Sequence, residues 1–209
     1  MENKLALHID SNWFSPYALW VYVALKEKRL PFTVKTVDLA AQQHHDAAYE
    51  NLSLTAKVPA LLHGNFAVAE SSAIIEYLED VFPPPAHPSL YPADAQQRAR
   101  ARQLQAWIRS DLMALREERP TTVIFKAPEP KPLSEAGRAA ADKLIRVASS
   151  LIGEGADNLF GSWCIADTEL ALTLNRLAAN GDAVPENLAR YVKVQWARPS
   201  VQAWVQHET

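Results

Sequence analysis

Sulfur chemistry is nearly absent from this chain: its one cysteine, Cys164, rules out an internal disulfide and any Cys-x-x-Cys redox pair. Charge of one sign is lacking as well. Against 21 Lys and Arg stand 24 Asp and Glu, a formal net charge of −3, which gives no electrostatic footing for nucleic acid or an anionic membrane. No run approaches the roughly 20 apolar residues of a membrane-spanning helix, and Met1-Glu2-Asn3-Lys4 leads straight into a strand without a signal-peptide core. The adjacent pair His44-His45 has no further ligand spacing, so no metal site is expected. No internal repeat is seen. These absences predict a soluble cytoplasmic protein, and 209 residues suffice for one compact unit or two small domains.

What is present divides into a β-containing first part and a helical remainder. Leu5 to Ile9 reads as a buried strand, and residues 16–28 carry helical spacing with Pro16 well placed in the first turn. Pro31 to Val37 alternates as a second strand, and 42–52 as a short irregular helix. Strand 58–62, a turn at His63-Gly64-Asn65, strand 66–68 and helix 71–81 complete the unit. Helical connections around a mixed sheet predict an α/β thioredoxin-like N-terminal domain over 1–82. Pro83-Pro84-Pro85, Pro88 and Pro92 make 83–93 a semi-rigid linker. Residues 94–209 then read as an all-α C-terminal domain. Asp94 and Gln97 start a long helix to about Arg119, a Pro-rich loop spans 120–133, and helices follow near 134–152, 167–180, 186–196 and 199–207.

The segment Lys57-Val58-Pro59-Ala60-Leu61-Leu62, followed by Glu70-Ser71-Ser72, carries the most specific chemistry. Pro59 cannot donate a ladder hydrogen bond, and it pushes Val58 into extended geometry with its own N–H and C=O free to pair with an extended ligand. The helix starting near Ser71 offers unsatisfied N–H groups and a positive dipole end to a carboxylate. Together they suit a small, extended, zwitterionic peptide.

This pattern, with Glu70-Ser71 leading into Ala73-Ile74 and Tyr77-Leu78, resembles the glutathione-binding half of cytosolic glutathione transferases. The resemblance extends over the whole chain. It is nearest in feel to the bacterial YfcF-type branch, through Phe14-Ser15-Pro16-Tyr17, Ile108 to Leu112 and Trp163 to Asp167. The resemblance implies glutathione as co-substrate, no metal, and a homodimer whose helical domain completes an electrophile pocket. It implies Ser15 as the catalytic donor to the glutathione thiolate, Glu70 toward the ammonium and Ser71 toward the carboxylate of the γ-glutamyl end. Gln43, His44 and Lys57 are candidates for the glycine carboxylate, and Val58-Pro59 for the peptide backbone.

A free thiol ionises near pH 8.5, so only roughly 3% is thiolate at neutral pH. Lowering that value by about 2 takes roughly 2.7 kcal/mol. One hydroxyl hydrogen bond to a charged acceptor supplies about 1.5–3 kcal/mol, and a helix N-terminus adds to it. The implied activity is therefore attack of glutathione thiolate on an electrophilic carbon or a hydroperoxide. The alternative is a non-catalytic scaffold of the same fold that binds proteins.

Three further readings concern one loop of the first domain and two features of the helical part. Ser53-Leu54-Thr55-Ala56 stands where the family often has Asn-Pro-x-Gly, which makes the shape of that loop distinctive. Asp167 reads as the acid of a capping box whose cap is Cys164, a buried inert thiol. Wound as one continuous helix, Arg98, Arg102, Arg109 and Arg116 form a stripe, with Asp111 on the apolar face. The stripe reads either as a solvated face or as one that faces the active-site mouth or a partner subunit, where it would meet Glu76, Glu79 and Asp80, and one of its arginines is expected to meet Asp111.

Overall fold

The computed structural model describes residues 4–209, in two units: one of residues up to Leu90 together with Pro199–Thr209, the other Tyr91–Arg198. The helix expected near 199–207 groups by its packing with the N-terminal unit.

In the first unit, β1 (Leu5–Asp10), β2 (Phe32–Val37), β3 (Ala60–His63) and β4 (Phe66–Ala69) form one sheet in the order β2-β1-β3-β4. β1 pairs parallel with β2, while β3 is antiparallel to both β1 and β4. β3 begins at Ala60, later than expected, so Val58 and Pro59 precede the ladder. Helix α1 (Pro16–Glu27) is buried on every side from Ala18 to Leu25 because the sheet, α3 (Ser71–Val81) and α10 (Pro199–Val205) all pack on it. Between β2 and β3 lie a 3-10 turn (Gln43–His45) and the single turn α2 (Ala47–Glu50).

Lys28, just past α1, is fully buried. Its ammonium donates to the carbonyls of Phe82 (2.8 Å) and Pro88 (3.1 Å) and pairs with Glu79 (2.7 Å). Glu79 in turn accepts from the Ser89 hydroxyl (2.5 Å) and the Leu90 amide (3.0 Å). A buried charge needs such complete pairing to be tolerated. The proline segment is thus held by one internal cation. It also commits Glu79, which the sequence had offered to a partner subunit.

The second unit is helical: α4 (Ala95–Ser110), α5 (Met113–Glu118), α6 (Thr122–Phe125), α7 (Glu135–Leu151), α8 (Ile165–Ala178) and α9 (Glu186–Trp196). Helix α8 is its centre, buried from Ile165 to Leu177, with α4, α7 and α9 packed around it. Asp94 caps α4 by accepting from the amides of Gln96 and Gln97.

The long helix expected over 94–119 is broken. Asp111 leaves helical geometry and turns its carboxylate back onto the Leu112 amide (2.7 Å), while Leu112 takes a left-handed φ of 63°. Short acidic side chains compete with the helix ladder in this way. The break takes Arg116 off the arginine stripe, while Arg98, Arg102 and Arg109 remain on α4. Arg98 donates to the carbonyls of Pro92 and Ala93, Arg102 lies 5.1 Å over the Tyr91 ring, and Arg116 reaches the Arg109 carbonyl across the break. Arg109 forks onto Glu169 of α8, a buried carboxylate that also accepts from Gln105 (2.6 Å). Asp111 meets Lys143 and the Trp107 indole (2.8 Å) rather than an arginine.

The expected loop 120–133 contains α6, and Val123 is buried within the unit instead of being offered to a substrate. Phe125 packs 6.1 Å from Trp196, and the Glu129 amide donates to Asn180 (2.6 Å).

Candidate active site at one edge of the sheet

Strand register alone gathers most of the candidate residues. His8 lies opposite Ala60, Ala60 opposite Ala69, and Asp10 opposite Val37. The chain therefore leaves β1, β2 and β4, and enters β3, at the same edge of the sheet. Ser15 follows β1, Gln43 and His44 follow β2, Val58-Pro59 precedes β3, and Glu70-Ser71 follows β4. Four chain segments far apart in sequence converge there because the pairing leaves them no other edge.

Ser15 is the N-cap of α1 with extended backbone, and its Oγ accepts the Ala18 amide at 3.3 Å. It is half-buried, and its hydroxyl hydrogen remains to be donated. The loop beneath it is built on Asp10, a residue that reading the sequence missed. The buried Asp10 carboxylate accepts the amides of Phe14 (2.7 Å) and Ser15 (3.0 Å). An aspartate ending a strand a few residues before a Ser-Pro helix start is the available signal, since Asp side chains bond nearby downstream amides.

The Val58-Pro59 peptide is cis, with Pro59 buried and Val58 half-buried. Behind it, the carbonyl of Lys57 accepts from the hydroxyls of Tyr49 and Ser53, each at 2.9 Å, and the Lys57 amide donates back to Ser53 Oγ at 3.2 Å. Burial pushes the Tyr49 phenol up to about 12, so it stays a donor at neutral pH. The unusual Ser53–Ala56 segment closes as a turn in which the Ala56 amide donates to the Ser53 carbonyl (2.9 Å). Ala56, standing where the family often has glycine, takes a left-handed φ of 50°. The Lys57 side chain is exposed on this approach.

Glu70 is exposed and also left-handed (φ 68°), and Ser71, buried, is the first residue of α3. A non-glycine residue at positive φ before a helix is uncommon, and such positions cluster at functional sites. Gln43 is exposed, and its side-chain carbonyl accepts the Asp38 amide (2.8 Å). His44 is half-buried against His45 (4.0 Å between rings), and its Nδ1 is buried with no hydrogen-bond partner. Among the described residues no group of three or more His, Cys, Asp or Glu could hold a metal ion, and no helix is long and apolar enough to cross a membrane.

The start of α8 follows the expected capping box. Asp167 accepts the Cys164 amide (2.9 Å), the Leu159 amide (2.8 Å) and the Tyr191 hydroxyl (2.9 Å). Burial raises the Cys164 thiol well above its ordinary range and, with Asp167 beside it, makes it a poor nucleophile.

A four-stranded thioredoxin-like unit carrying a serine-capped helix, a cis-proline before β3 and an acid-hydroxyl start to α3, joined in sequence to an all-helical unit, defines a two-part glutathione-transferase architecture. The N-terminal-domain profile of the glutathione S-transferase family matches residues 14–81 and its C-terminal-domain profile residues 94–208, so the chain belongs to that family. A Burkholderia glutathione transferase homolog, solved with bound glutathione, is 45% identical with a TM-score of 0.83, the alignment covering 98% of each chain. A glutathione S-transferase from Rhodospirillum rubrum is 26% identical, with a TM-score of 0.75 over 96% of this chain and 91% of that one. Mouse glutathione S-transferase theta-3 is 38% identical over 87 residues, a match spanning 42% of this chain and 35% of that protein.

Proposed function

We propose that this protein is a glutathione transferase in which Ser15 donates its hydroxyl hydrogen bond to the glutathione thiolate. The observation that carries the reading is the half-exposed Ser15 hydroxyl at the N-terminus of α1, on the edge where Val58-Pro59 and Glu70-Ser71 also emerge. The peptide would lie extended along Val58, pairing with its backbone. Glu70 would meet the γ-glutamyl ammonium, and Ser71 with the α3 N-terminus the carboxylate. Gln43, His44 and Lys57, on the segment between β2 and β3, would be the candidates for the glycine carboxylate, with the exposed side chains of Gln43 and Lys57 the more accessible of the three.

The thiolate would attack an electrophilic carbon or, in a peroxidase reaction, a hydroperoxide oxygen. Membership of the YfcF-type branch, a cytoplasmic location and a homodimer belong to the same proposal. The branch rests on the Phe14–Tyr17, Ile108–Leu112 and Trp163–Asp167 segments, and the dimer on family likeness alone, since the arginines once offered to it are bound within their own unit.

Binding to immobilised glutathione, then a panel of electrophiles and hydroperoxides, tests the reading. Glu70→Ala and Ser71→Ala should each weaken glutathione binding by about 1.5–3 kcal/mol in calorimetry, the worth of a hydrogen bond to a charged group. Unaltered affinity in both variants would remove the site from this edge.

A further inference from the structure

We infer that Asp10 is a positioning residue for the thiolate donor, and that by occupying the neighbouring amides it leaves the Ser15 hydroxyl to meet the sulfur. The inference rests on the glutathione reading above and carries it to a single atom. Two kinds of donor could serve a thiolate at the start of α1, a side-chain hydroxyl or backbone amides. The amides of Phe14 and Ser15 are both spent on the Asp10 carboxylate, at 2.7 and 3.0 Å. Residue 16 is proline and has no amide hydrogen. Residues 14 to 16 therefore have no amide to offer. Ser15 Oγ accepts the Ala18 amide, which uses a lone pair and keeps the hydroxyl hydrogen for donation.

The same carboxylate sets the direction of that hydroxyl. Asp10 is the last residue of β1 and is buried at 4% exposure, so its position is that of the sheet. Its main-chain carbonyl accepts the Trp13 amide (3.1 Å), and the Ser11 amide donates to Val37 of β2 (3.0 Å). Trp13, in the left-handed region at φ 59°, is pinned from its other side. The Trp204 indole donates to the Trp13 carbonyl (3.1 Å), its ring lies 4.7 Å away, and the His207 ring stacks at 4.9 Å and 15°. Thus the turn from Ser11 to Ser15 is held between a buried acid and the C-terminal tail. Asparagine at position 10 would replace two acceptors by one acceptor and one donor. One amide would then face an NH2, and the turn would tip.

Asp10→Asn, Ser15→Ala and the double variant test this. The readouts are turnover with an electrophile, glutathione affinity by calorimetry, and the ultraviolet absorbance of bound thiolate as pH is raised. Asp10→Asn should lower turnover about 10- to 100-fold, the scale of a misplaced reacting group, with affinity within about twofold of wild type. The bound thiol should ionise at higher pH, and the double variant should be no slower than Ser15→Ala alone. Additive losses, or a thiol titration that stays put while turnover falls, overturn the inference. Should Asp10→Asn not fold, Asp10→Glu, which keeps two acceptors but displaces them by one methylene, is read in the same way. Wild-type levels of thiolate in Ser15→Ala would make an amide the donor and overturn the inference. Wild-type protein that binds no glutathione overturns the parent reading too, whereas an active protein indifferent to Asp10→Asn overturns this inference alone.

Discussion

Helices α1 and α8 start with the same parts: an extended cap residue and a buried aspartate that takes nearby amides. At α8 everything turns inward. The cap, Cys164, and its acid, Asp167, are both buried, and Asp167 ties Leu159, Cys164 and Tyr191 into one node of the helical unit. Burial holds the Asp167 carboxyl above its usual range even though hydrogen bonds from Cys164, Leu159 and Tyr191 pull the other way. At α1 the acid lies on the preceding strand, and the cap, Ser15, is left half-exposed with a hydrogen to donate. Capping can thus be spent on stability or on chemistry, and what separates the two is whether the cap's own side chain reaches the surface.

Breaking the inward node should cost the most. Asp167→Ala leaves buried donors without partners, at about 1–3 kcal/mol each, so urea titration should show a loss of about 3–5 kcal/mol. A loss below about 1 kcal/mol would mean that α8 does not depend on its cap. Ser15→Ala should invert the pattern. Turnover should fall about 10- to 100-fold, equivalent to roughly 1.5–3 kcal/mol of lost thiolate stabilisation, while unfolding free energy falls by only about 1 kcal/mol. If instead stability collapses and turnover survives, the two helix starts are devices of one kind.

Smaller effects sharpen the contrast between the units. Ala56 in the left-handed region costs about 1–2 kcal/mol, of which glycine would return part after the added freedom of its unfolded chain. Ala56→Gly should therefore stabilise the thioredoxin-like unit by about 0.5–1 kcal/mol in thermal melts, and any destabilisation would show that the turn needs the methyl group. Asp111 offers the smallest effect. Lys143, then the Leu112 amide and the Trp107 indole, hold its carboxyl at about 2, below its unfolded value. Its contribution is present above about pH 4 and is lost as pH falls toward 2. Because the pair is exposed to solvent, Asp111→Asn should cost under about 1 kcal/mol at neutral pH and flatten the acid limb of stability between those values. An unchanged acid limb would mean the pair forms only weakly in solution.

Much of the candidate site was legible because its signals are local. Pro16 after Ser15, Pro59 after Val58 and the Glu70-Ser71 helix start restrict the backbone within a residue or two of themselves, and alternating strands then leave those segments one common edge. The arginine stripe was legible only in part, for the complementary reason. A helical wheel assumes an unbroken helix, and Asp111 ends α4 before Arg116 with a bond to the very next amide, while the Glu169 that takes Arg109 lies far away in sequence. The loop 120–133 misled because its prolines suggested an open segment, whereas Val123 is drawn into the core.

By itself, then, the sequence determined the strands and helices of the first unit, the capped starts of α1, α4 and α8 and the candidate residues brought to the sheet edge, all matters of hydrogen bonds and backbone restriction within a turn. Only tertiary structure decided which charges meet and which groups stay available. Arg109 finds Glu169, sixty residues away, and Lys28 finds Glu79 and the carbonyls of the proline segment. Asp10 turns to the amides beside Ser15, and the C-terminal helix turns to α1. The reason is physical: a buried charge or amide must be satisfied, but the identity of its partner depends on which surfaces the packed core brings within hydrogen-bonding distance.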